Sequence, residues 1–322
     1  MRNNLLDLIQ ATYHGIIPEE ARLFLYTHSP EFVQKQFDEL SGRIQERPFS
    51  PSDLKLPNQP IGPSRFPRRI NKLCDETDWF GEEWLGLLDD LGESHCRTRK
   101  HRKAWEWAQG VYALQHLNLL RQDATGIGVG AGVESVLFYM ANQIKMVYAT
   151  DIYGEGTFAE VTAHADMMTD PARYARIPFR QDHLTVLHMD GLNLEFPDNH
   201  FDFAFSFSSI EHFGGHAAAA RSVREMGRVI KPGGVVVLTT EVTLNGQTHE
   251  EFFLPAEIQQ FLIDATGLLP IEDIDYTISA QTLANVVDFD APDLTTRVPH
   301  IVLKKDNVCW TSICLVLQKP ES

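Results

Sequence analysis

Four glycines follow one another closely in the run GIGVGAG, which comes directly after a predicted strand and before a predicted helix. Glycine lets a backbone turn sharply and approach a ligand without a Cβ in the way, so this loop is a candidate nucleotide site. Gly126, Gly128 and Ala131 fit the dinucleotide spacing G-x-G-x-x-G/A. Gly128, Gly130 and Gly132 fit G-x-G-x-G equally well. The loop alone does not choose between these two classes of ligand.

Two acidic residues at the ends of later predicted strands narrow the choice. Asp151 ends the strand in KMVYATD, where a carboxylate can accept both ribose hydroxyls of an adenosine. Asp190 ends the next strand, in LTVLHMDGLNL. An acid followed by glycine and an apolar residue at that place is not part of the dinucleotide pattern, although a helix cap or turn cap is an alternative role for Asp190.

Residues that could take part in catalysis follow the fourth and fifth predicted strands. Glu211 and His212 lie in SSIEHFGGH, and His249 lies in TEVTLNGQTHEEFF. Reacting groups of open α/β sheets collect at the carboxyl ends of the strands, so these three are the candidate catalytic residues. Histidine is a natural general base near neutral pH, which puts His212 first. The spacing H-E-E lacks the H-E-x-x-H pattern of a zinc site, and we expect no metal.

The elements that must position these residues change in character along the chain. From residue 124 onward, short apolar runs such as FDFAFSF and GVVVLTTEV alternate with helical stretches such as AAAARSVREMGRVI. This alternation predicts an α/β fold with a parallel sheet covered on both faces. Residues 1–97 instead show helical patterns around a proline-rich connector at 43–70. We therefore predict a mainly helical extension over 1–97, acting as a lid or an oligomerisation arm, and a ligand-binding domain over 98–322.

Composition and charge exclude several classes of protein. The 322 residues are 43% hydrophobic and 22% charged, as in ordinary globular chains, and no apolar run is long enough for a membrane span. A net charge of −16 repels phosphate backbones, so neither nucleic acid nor a membrane is an expected partner. Four irregularly spaced cysteines form no disulfide framework, and we expect a cytoplasmic location. A basic run at 97–103 is either solvated surface or a site for an anionic group.

The order of the motifs resembles that of class I S-adenosylmethionine-dependent methyltransferases with a type 11-like domain. GIGVGAG is followed by YATD, then by HMDGLNLEFPDNHFDFAFSFSSIEHF and by REMGRVIKPGGVVVLTTEV, and the last two stretches are the specific ones. The resemblance implies a Rossmann-like, doubly wound, seven-stranded sheet with an antiparallel last strand, for which residues 309–318 are suited. It also implies S-adenosylmethionine as the cofactor and a small molecule as the methyl acceptor.

The resemblance also assigns cofactor contacts to individual residues at the ends of the first four strands of the domain. The glycines would hold the methionine portion, the second strand the ribose and adenine, the third the adenine edge, and the fourth the sulfonium. The implied cofactor-binding residues are, in chain order, Gly128, Gly130, Gly132, Glu134, Asp151, Ile152, Asp190, Gly191, Leu192, Ser206, Phe207 and Ser208.

One position departs from the pattern of the family. Members often have an acid two residues before the first glycine of G-x-G-x-G, and Gly126 stands there in this chain. The α-ammonium of the cofactor therefore needs another partner, for which Glu134 and Glu106 are the candidates. Trp105 and Trp107 flank Glu106, and they either pack the helix onto the sheet or offer an aromatic face to the sulfonium.

These observations predict an enzyme that methylates oxygen in a sugar or natural product. The alternatives are an S-adenosylmethionine-binding protein without transfer activity, which would be a regulator or partner subunit, or an N- or C-methyltransferase. A nicotinamide-dependent oxidoreductase is favoured only by the G-x-G-x-x-A overlap, and Asp190 and the PGG hairpin count against it. A homo-oligomer formed through the N-terminal extension is a further expectation.

Overall fold

The computed structural model describes residues 51–58, 60–290 and 299–321. Pro51–Ser322 belong to one compact unit. The predicted helical stretches before residue 43 lie outside the described residues. Within the described part of the chain, no helix has the length and apolar character that crossing a bilayer requires.

The centre of the unit is a ten-stranded sheet. Its strands are β1 (Lys72–Leu73), β2 (Thr125–Val129), β3 (Met146–Asp151), β4 (Leu184–His188), β5 (Phe201–Phe207), β6 (Ile230–Thr243), β7 (Leu269–Pro270), β8 (Val286–Asp288), β9 (Val302–Lys305) and β10 (Val308–Gln318). The order across the sheet is β4-β3-β2-β5-β6-β10-β9-β8, while β1 and β7 also pair with β10. Strands β2 to β6 pair in parallel, and β10 runs antiparallel to β6.

The central strands are apolar along most of their length because both faces of the sheet are covered. Phe203, Phe205 and Phe207 of β5 are fully buried, and β10 is buried at nine consecutive residues from Cys309 to Leu317. A strand with one solvated face would alternate between apolar and polar residues instead. The parallel strands also end along one edge of the sheet, which brings the loops after β2, β3, β4 and β5 together.

In the described part of the chain, six α-helical segments flank the sheet. They are α1 (Glu82–Asp90), α2 (Arg102–His116), α3 (Ser135–Gln143), α4 (His216–Val229), α5 (Pro255–Glu257, continued by a π-helical turn at Ile258–Asp264) and α6 (Ala280–Leu283). Helix α2 packs on β6 and β10, and α4 packs on β5 and β6. Gly110 of α2 lies against the Phe207 ring and Val237, so the helix approaches the sheet closely.

The mixed α/β class, the mainly parallel sheet and the reversed last strand are confirmed. The described residues form ten strands rather than the seven expected, because short strands such as β1, β7 and β8 join the far side of the sheet. The predicted division at residue 97 stays a prediction. Its described part, 51–97, is nevertheless built into the sheet, since β1 pairs with β10 and the Asn71 Oδ1 accepts the Val316 N–H at 2.6 Å.

Candidate functional site

The glycine loop has the backbone geometry of a ligand cradle. Gly130 and Gly132 have φ values of 63° and 47°, a left-handed conformation that residues with a Cβ rarely adopt. A Cβ on Gly132 would lie 2.7 Å from the Thr162 carbonyl oxygen. Gly126 and Gly128 instead lie inside β2, where a Cβ would meet the rings of Phe203 and Phe205. The turn is therefore formed by the later glycines, as the spacing G-x-G-x-G requires.

Asp151 ties the end of β3 to this turn. Its Oδ2 accepts the Gly132 N–H at 2.9 Å and its Oδ1 accepts the Ile152 N–H at 2.7 Å. Burial raises the pKa of Asp151, although the two backbone donors oppose this effect. Ile152 is 38% exposed, which leaves an apolar surface beside a carboxylate at the end of the strand. Both features suit a ribose and an adenine ring, as the resemblance implies.

The turn after β4 lies against the same loop. The Asp190 Oδ1 accepts the Leu192 N–H at 2.8 Å, so this carboxylate caps its own turn and is exposed at the surface. A Cβ on Gly191 would approach Val129 of β2 and the Phe213 ring within 3 Å. The structure thus brings the residues predicted to hold the adenine edge beside the glycine loop. Asp190 also caps its own turn, which was the alternative role considered for it.

The loop after β5 lies against the glycine loop. The region where the loops after β2, β3, β4 and β5 meet is called the cleft below. Ser208 has a φ of 50°, and the hydroxyls of Ser206 and Ser208 are buried without a hydrogen-bond partner among the described residues. Ser209 donates its hydroxyl to the Gly130 carbonyl oxygen at 2.7 Å. The carbonyl oxygen of Phe207 accepts a hydrogen bond from the Lys103 Nζ at 2.5 Å. Buried polar atoms without partners mark a place where a polar ligand is expected.

Lys103 crosses from α2 to the cleft and joins two of the predicted residues. Its Nζ lies 2.7 Å from the Glu134 Oε1 and 3.3 Å from the Glu106 Oε2, in addition to the Phe207 carbonyl. Burial opposes the positive charge of Lys103, but the surrounding carboxylates outweigh burial and its pKa is raised. Burial also raises the pKa of Glu134.

A second buried group of charges lies between α2, β6 and β10. The Arg102 Nη1 contacts the Glu241 Oε1 at 2.5 Å, the Glu106 Oε1 at 3.0 Å and the Ser312 Oγ at 3.0 Å. Burial alone would raise the pKa of Glu241, but the charge of Arg102 outweighs it and lowers that pKa to about 2. The basic run at 97–103 is therefore not simply solvated surface, because its last two residues pair with acids of the chain itself.

Glu211 is fully buried beside this group. Its Oε2 accepts the Thr240 hydroxyl at 3.1 Å, and its Oε1 has no partner among the described residues. Burial and the negative charge of Glu241 raise the pKa of Glu211 well above its ordinary value. Because Glu211 is enclosed beside Thr240 and Glu241, this environment does not favour it as the general base.

His212 and His249 have different surroundings. The His212 Nδ1 lies 3.0 Å from the Glu251 Oε1, and its ring lies 4.8 Å from the ring of Phe158. The His249 Nδ1 accepts the backbone N–H groups of Glu251 and Phe252 at 3.1 and 3.2 Å, and its ring stacks on Phe252. His249 therefore holds the loop that presents Glu251, whereas His212 has a carboxylate partner beside the cleft.

Comparison with known proteins decides the class of this cleft. Residues 127–238 match the family model described as a methyltransferase domain, and this range includes the glycine loop, Asp151, Asp190 and the turn with His212. These residues of the chain carry a methyltransferase domain. A search of curated proteins found no match to the sequence.

Solved structures similar to this chain include two with a named activity. One is geranyl diphosphate C-methyltransferase from Streptomyces coelicolor, with 14% identity, a TM-score of 0.45, and coverage of 66% of this chain and 77% of that chain. Another is phosphoethanolamine N-methyltransferase 2 from Haemonchus contortus, with 14% identity, a TM-score of 0.45, and coverage of 74% of this chain and 60% of that chain. The acceptors in those names belong to those proteins.

The residues of the cleft fit the cofactor of the methyltransferase family, S-adenosylmethionine. The positive-φ glycines leave space that a Cβ would fill, and the Asp151 carboxylate stands at the end of β3. The unpartnered hydroxyls of Ser206 and Ser208 supply polar atoms at the end of β5. The sequence alone did not assign Lys103 or Arg102 to this cleft. Lys103 stands three residues and Arg102 four residues before Glu106 on the same helix, and this spacing, which allows ion pairs with Glu106, was the available signal.

Trp105 and Trp107 differ in their surroundings. The Trp105 indole is fully buried and donates its Nε1–H to the Asp78 Oδ2 at 2.7 Å, so it packs α2 against the 51–97 segment. The Trp107 ring lies 5.8 Å from the Lys103 Nζ, and its Nε1 has no partner among the described residues. Trp107 is thus the one of the two that lies next to the charged groups of the cleft.

Among the described residues, one group of side chains has the spacing of a metal site. It consists of Glu93, His95 and Cys96, whose ligand atoms lie within 4.8 Å of one another. The Glu93 carboxylate, however, is ion-paired with Arg176 at 2.5 Å and accepts the Ser135 hydroxyl at 2.9 Å.

Proposed function

We propose that this methyltransferase transfers the methyl group to a hydroxyl of a small molecule, such as a sugar or another natural product, with His212 as the general base. The observation that carries the proposal is the 3.0 Å contact between the His212 Nδ1 and the Glu251 Oε1. His212 lies in the turn whose residues Ser209 and Phe213 contact the glycine loop.

The chemistry explains why such a pair is useful. An alcohol is a weak nucleophile until its proton is removed, and a positioned histidine can remove it during the transfer. The bond to Glu251 fixes the orientation of the ring and stabilises the imidazolium that forms. The Nε2 of His212 then faces away from Glu251 and is the atom that takes the proton.

The chain's other residues serve alignment. The cofactor supplies an activated methyl group on a sulfonium, and transfer requires the acceptor oxygen in line with that bond. Asp151 holds the glycine turn, and Ser209 ties the loop after β5 to the same turn. Phe158 is 40% exposed and contacts the His212 ring, so it offers an apolar wall beside the base.

The proposal extends to location and assembly. The four cysteines Cys74, Cys96, Cys309 and Cys314 are buried as free thiols, which supports a reducing cytoplasm. The acidic net charge of −16 supports a small molecule rather than nucleic acid as the acceptor. Assembly through the N-terminal extension remains part of the proposal, and a sedimentation measurement on the full chain tests it.

The test compares the His212–Glu251 pair with a second histidine–glutamate pair that lies elsewhere in the fold. The full chain and its His212→Gln and Glu251→Gln variants are incubated with S-adenosylmethionine and a panel of sugars and phenols, and formation of S-adenosylhomocysteine is measured. Loss of the base should lower turnover by about 10²–10⁴-fold, with unchanged affinity for S-adenosylhomocysteine. His116→Gln is the matched control, because His116 pairs with Glu83 at 3.2 Å at the far end of α2.

Three results would overturn the proposal. Full activity of His212→Gln would show that His212 is not the general base. Methyl transfer only to amines or carbon acids would show that the enzyme is an N- or C-methyltransferase and not an O-methyltransferase. Cofactor binding without transfer to any acceptor of the panel would favour the binding protein without transfer activity.

A further inference from the structure

The ammonium group of Lys103 is enclosed by three oxygen acceptors. They are the carbonyl oxygen of Phe207 at 2.5 Å, the Glu134 Oε1 at 2.7 Å and the Glu106 Oε2 at 3.3 Å. The contact with Phe207 is a hydrogen bond, and the contacts with the two carboxylates are ion pairs, of which the longer one leaves the Glu106 Oε2 without a hydrogen-bond donor among the described residues. The three acceptors come from the end of β5, from the residue before α3, and from α2. The fold therefore builds a site for one primary ammonium at the edge of the cofactor cleft.

The same two carboxylates are those that the sequence left as partners for the cofactor's α-ammonium. Gly126, which stands where the family often has an acid, is packed inside β2 against the Phe203 ring and offers no side chain. Glu134 is 10% exposed, and its Oε2 is buried with no hydrogen-bond partner among the described residues. An unpartnered carboxylate oxygen at this depth is costly unless a donor reaches it.

We propose that Glu134, Glu106 and the Phe207 carbonyl form the subsite for the α-ammonium of the cofactor's methionine portion, and that Lys103 fills this subsite when no cofactor is bound. The inference rests on the cofactor assignment, and it deepens the proposed function by naming a residue that competes with the cofactor. Two ammonium groups repel one another at contact distance, so Lys103 must leave when the cofactor's amine enters.

The surroundings of Lys103 allow this exchange. Its side chain is 32% exposed although the ammonium is enclosed, so the exchange requires a rotation of the side chain that carries the ammonium outward. Glu106 does not lose all its partners when Lys103 leaves, because its Oε1 still accepts from the Arg102 Nη1 at 3.0 Å and the Ser312 Oγ at 2.5 Å. Among the described residues, Lys103 is the one cation in contact with Glu134, and the Trp107 indole is the other donor group beside it.

The opposite arrangement is a direct bond between Lys103 and the cofactor's carboxylate. The two arrangements predict opposite effects of removing the lysine charge. With a competing lysine, removal strengthens binding of any ligand that carries the amino-acid group. With a lysine that holds the carboxylate, removal weakens it.

The experiment measures binding by calorimetry to the full chain and to Lys103→Met, which keeps a long apolar side chain beside Trp107. The probes are S-adenosylhomocysteine and 5′-methylthioadenosine, which has the same nucleoside and thioether but no amino-acid group. We expect Lys103→Met to bind S-adenosylhomocysteine at least about tenfold more tightly, with unchanged affinity for 5′-methylthioadenosine. Lys100→Met is the matched control, because Lys100 pairs with Glu76 at 2.8 Å outside the cleft.

A second variant covers the case in which Lys103→Met does not fold. Glu134→Gln should weaken S-adenosylhomocysteine by about tenfold or more and leave 5′-methylthioadenosine unchanged. Weaker binding of S-adenosylhomocysteine to Lys103→Met would overturn the proposed subsite. So would a Glu134→Gln variant in which the ratio of the affinities for S-adenosylhomocysteine and 5′-methylthioadenosine is unchanged. Binding of neither ligand to the full chain would overturn it too. Because these measurements need no acceptor, failure of hydroxyl methylation would appear separately, in the turnover assay.

Discussion

Replacing Arg102 by methionine removes the one cation that contacts Glu241 among the described residues. The Arg102 side chain is 19% exposed, and its Nη1 also contacts Glu106 and Ser312. Methionine keeps much of the side-chain length but leaves a carboxylate in β6 that is 3% exposed and has no opposite charge. Breaking a buried ion pair from one side costs about 3–5 kcal/mol of unfolding free energy.

The lowered pKa of Glu241 indicates the same direction of change. A carboxyl whose pKa falls from 4.5 to about 2 on folding gains about 3 kcal/mol of stability at neutral pH, at 1.36 kcal/mol for each pH unit. This contribution is complete above pH 4.5 and disappears as the pH falls toward 2. In Arg102→Met the burial of Glu241 is no longer opposed, so its folded-state pKa rises above 4.5 and the sign of its contribution reverses.

Urea unfolding, followed by tryptophan fluorescence at pH 7.5 and pH 5.5, measures both effects. In the native chain, the contribution of the Arg102–Glu241 pair to the free energy of unfolding should be the same at both pH values. The variant should be less stable by about 3–5 kcal/mol at pH 7.5, and the gap should narrow at pH 5.5 because Glu241 takes up a proton in the folded state. Arg97→Met is the control: Arg97 pairs with Glu82, which is 86% exposed, and we expect no measurable shift.

Two results would refute this reasoning. The first is a loss below about 1 kcal/mol, which is the size typical of a surface pair. The second is a gap that stays the same at both pH values. The double variant Arg102→Met with Glu241→Gln adds a further check, because removing the stranded charge should restore part of the lost stability.

Two further predictions concern the cofactor cleft. Gly132→Ala should lower the free energy of unfolding by about 1–3 kcal/mol, because φ is 47° and the new Cβ would lie 2.7 Å from the Thr162 carbonyl oxygen. Thermal unfolding measures this change, and an unchanged midpoint temperature would contradict the steric argument. Asp151→Asn should weaken the binding of S-adenosylhomocysteine by roughly tenfold or more, because an amide has one acceptor oxygen and a carboxylate has two to share between the backbone donors and the ribose. Equal affinities of the two proteins in calorimetry would show that Asp151 is not part of the cofactor site.

The cofactor edge of the sheet could be predicted because its signals are local in sequence. Positive-φ glycines and acids at strand ends have a fixed spacing from the strands that carry them. The short strands could not be predicted in this way. Strands β1 and β7 have two residues each, which is too few for any periodicity, and they form because β10 offers backbone groups to pair with.

The charged groups of the cleft were harder to foresee because their partners lie far away in sequence. Arg102 reaches Glu241 across 139 residues and Ser312 across 210 residues. A run of basic residues at the start of a helix has the same appearance whether it faces water or a buried carboxylate. The pair of His212 and Glu251, 39 residues apart, likewise exists only because the loops after β5 and β6 end at the same edge.

Strand β10 has a second edge, and that edge is covered by pieces from distant parts of the chain. Lys72 and Leu73 pair with Cys314 and Ile313, while the Asn71 side chain binds the Val316 backbone. A fragment that begins at residue 98 would leave these N–H and C=O groups open along an almost wholly apolar strand, which is a template for joining another copy. Such a fragment should therefore aggregate, and the shortest soluble fragment of this chain should begin before Asn71.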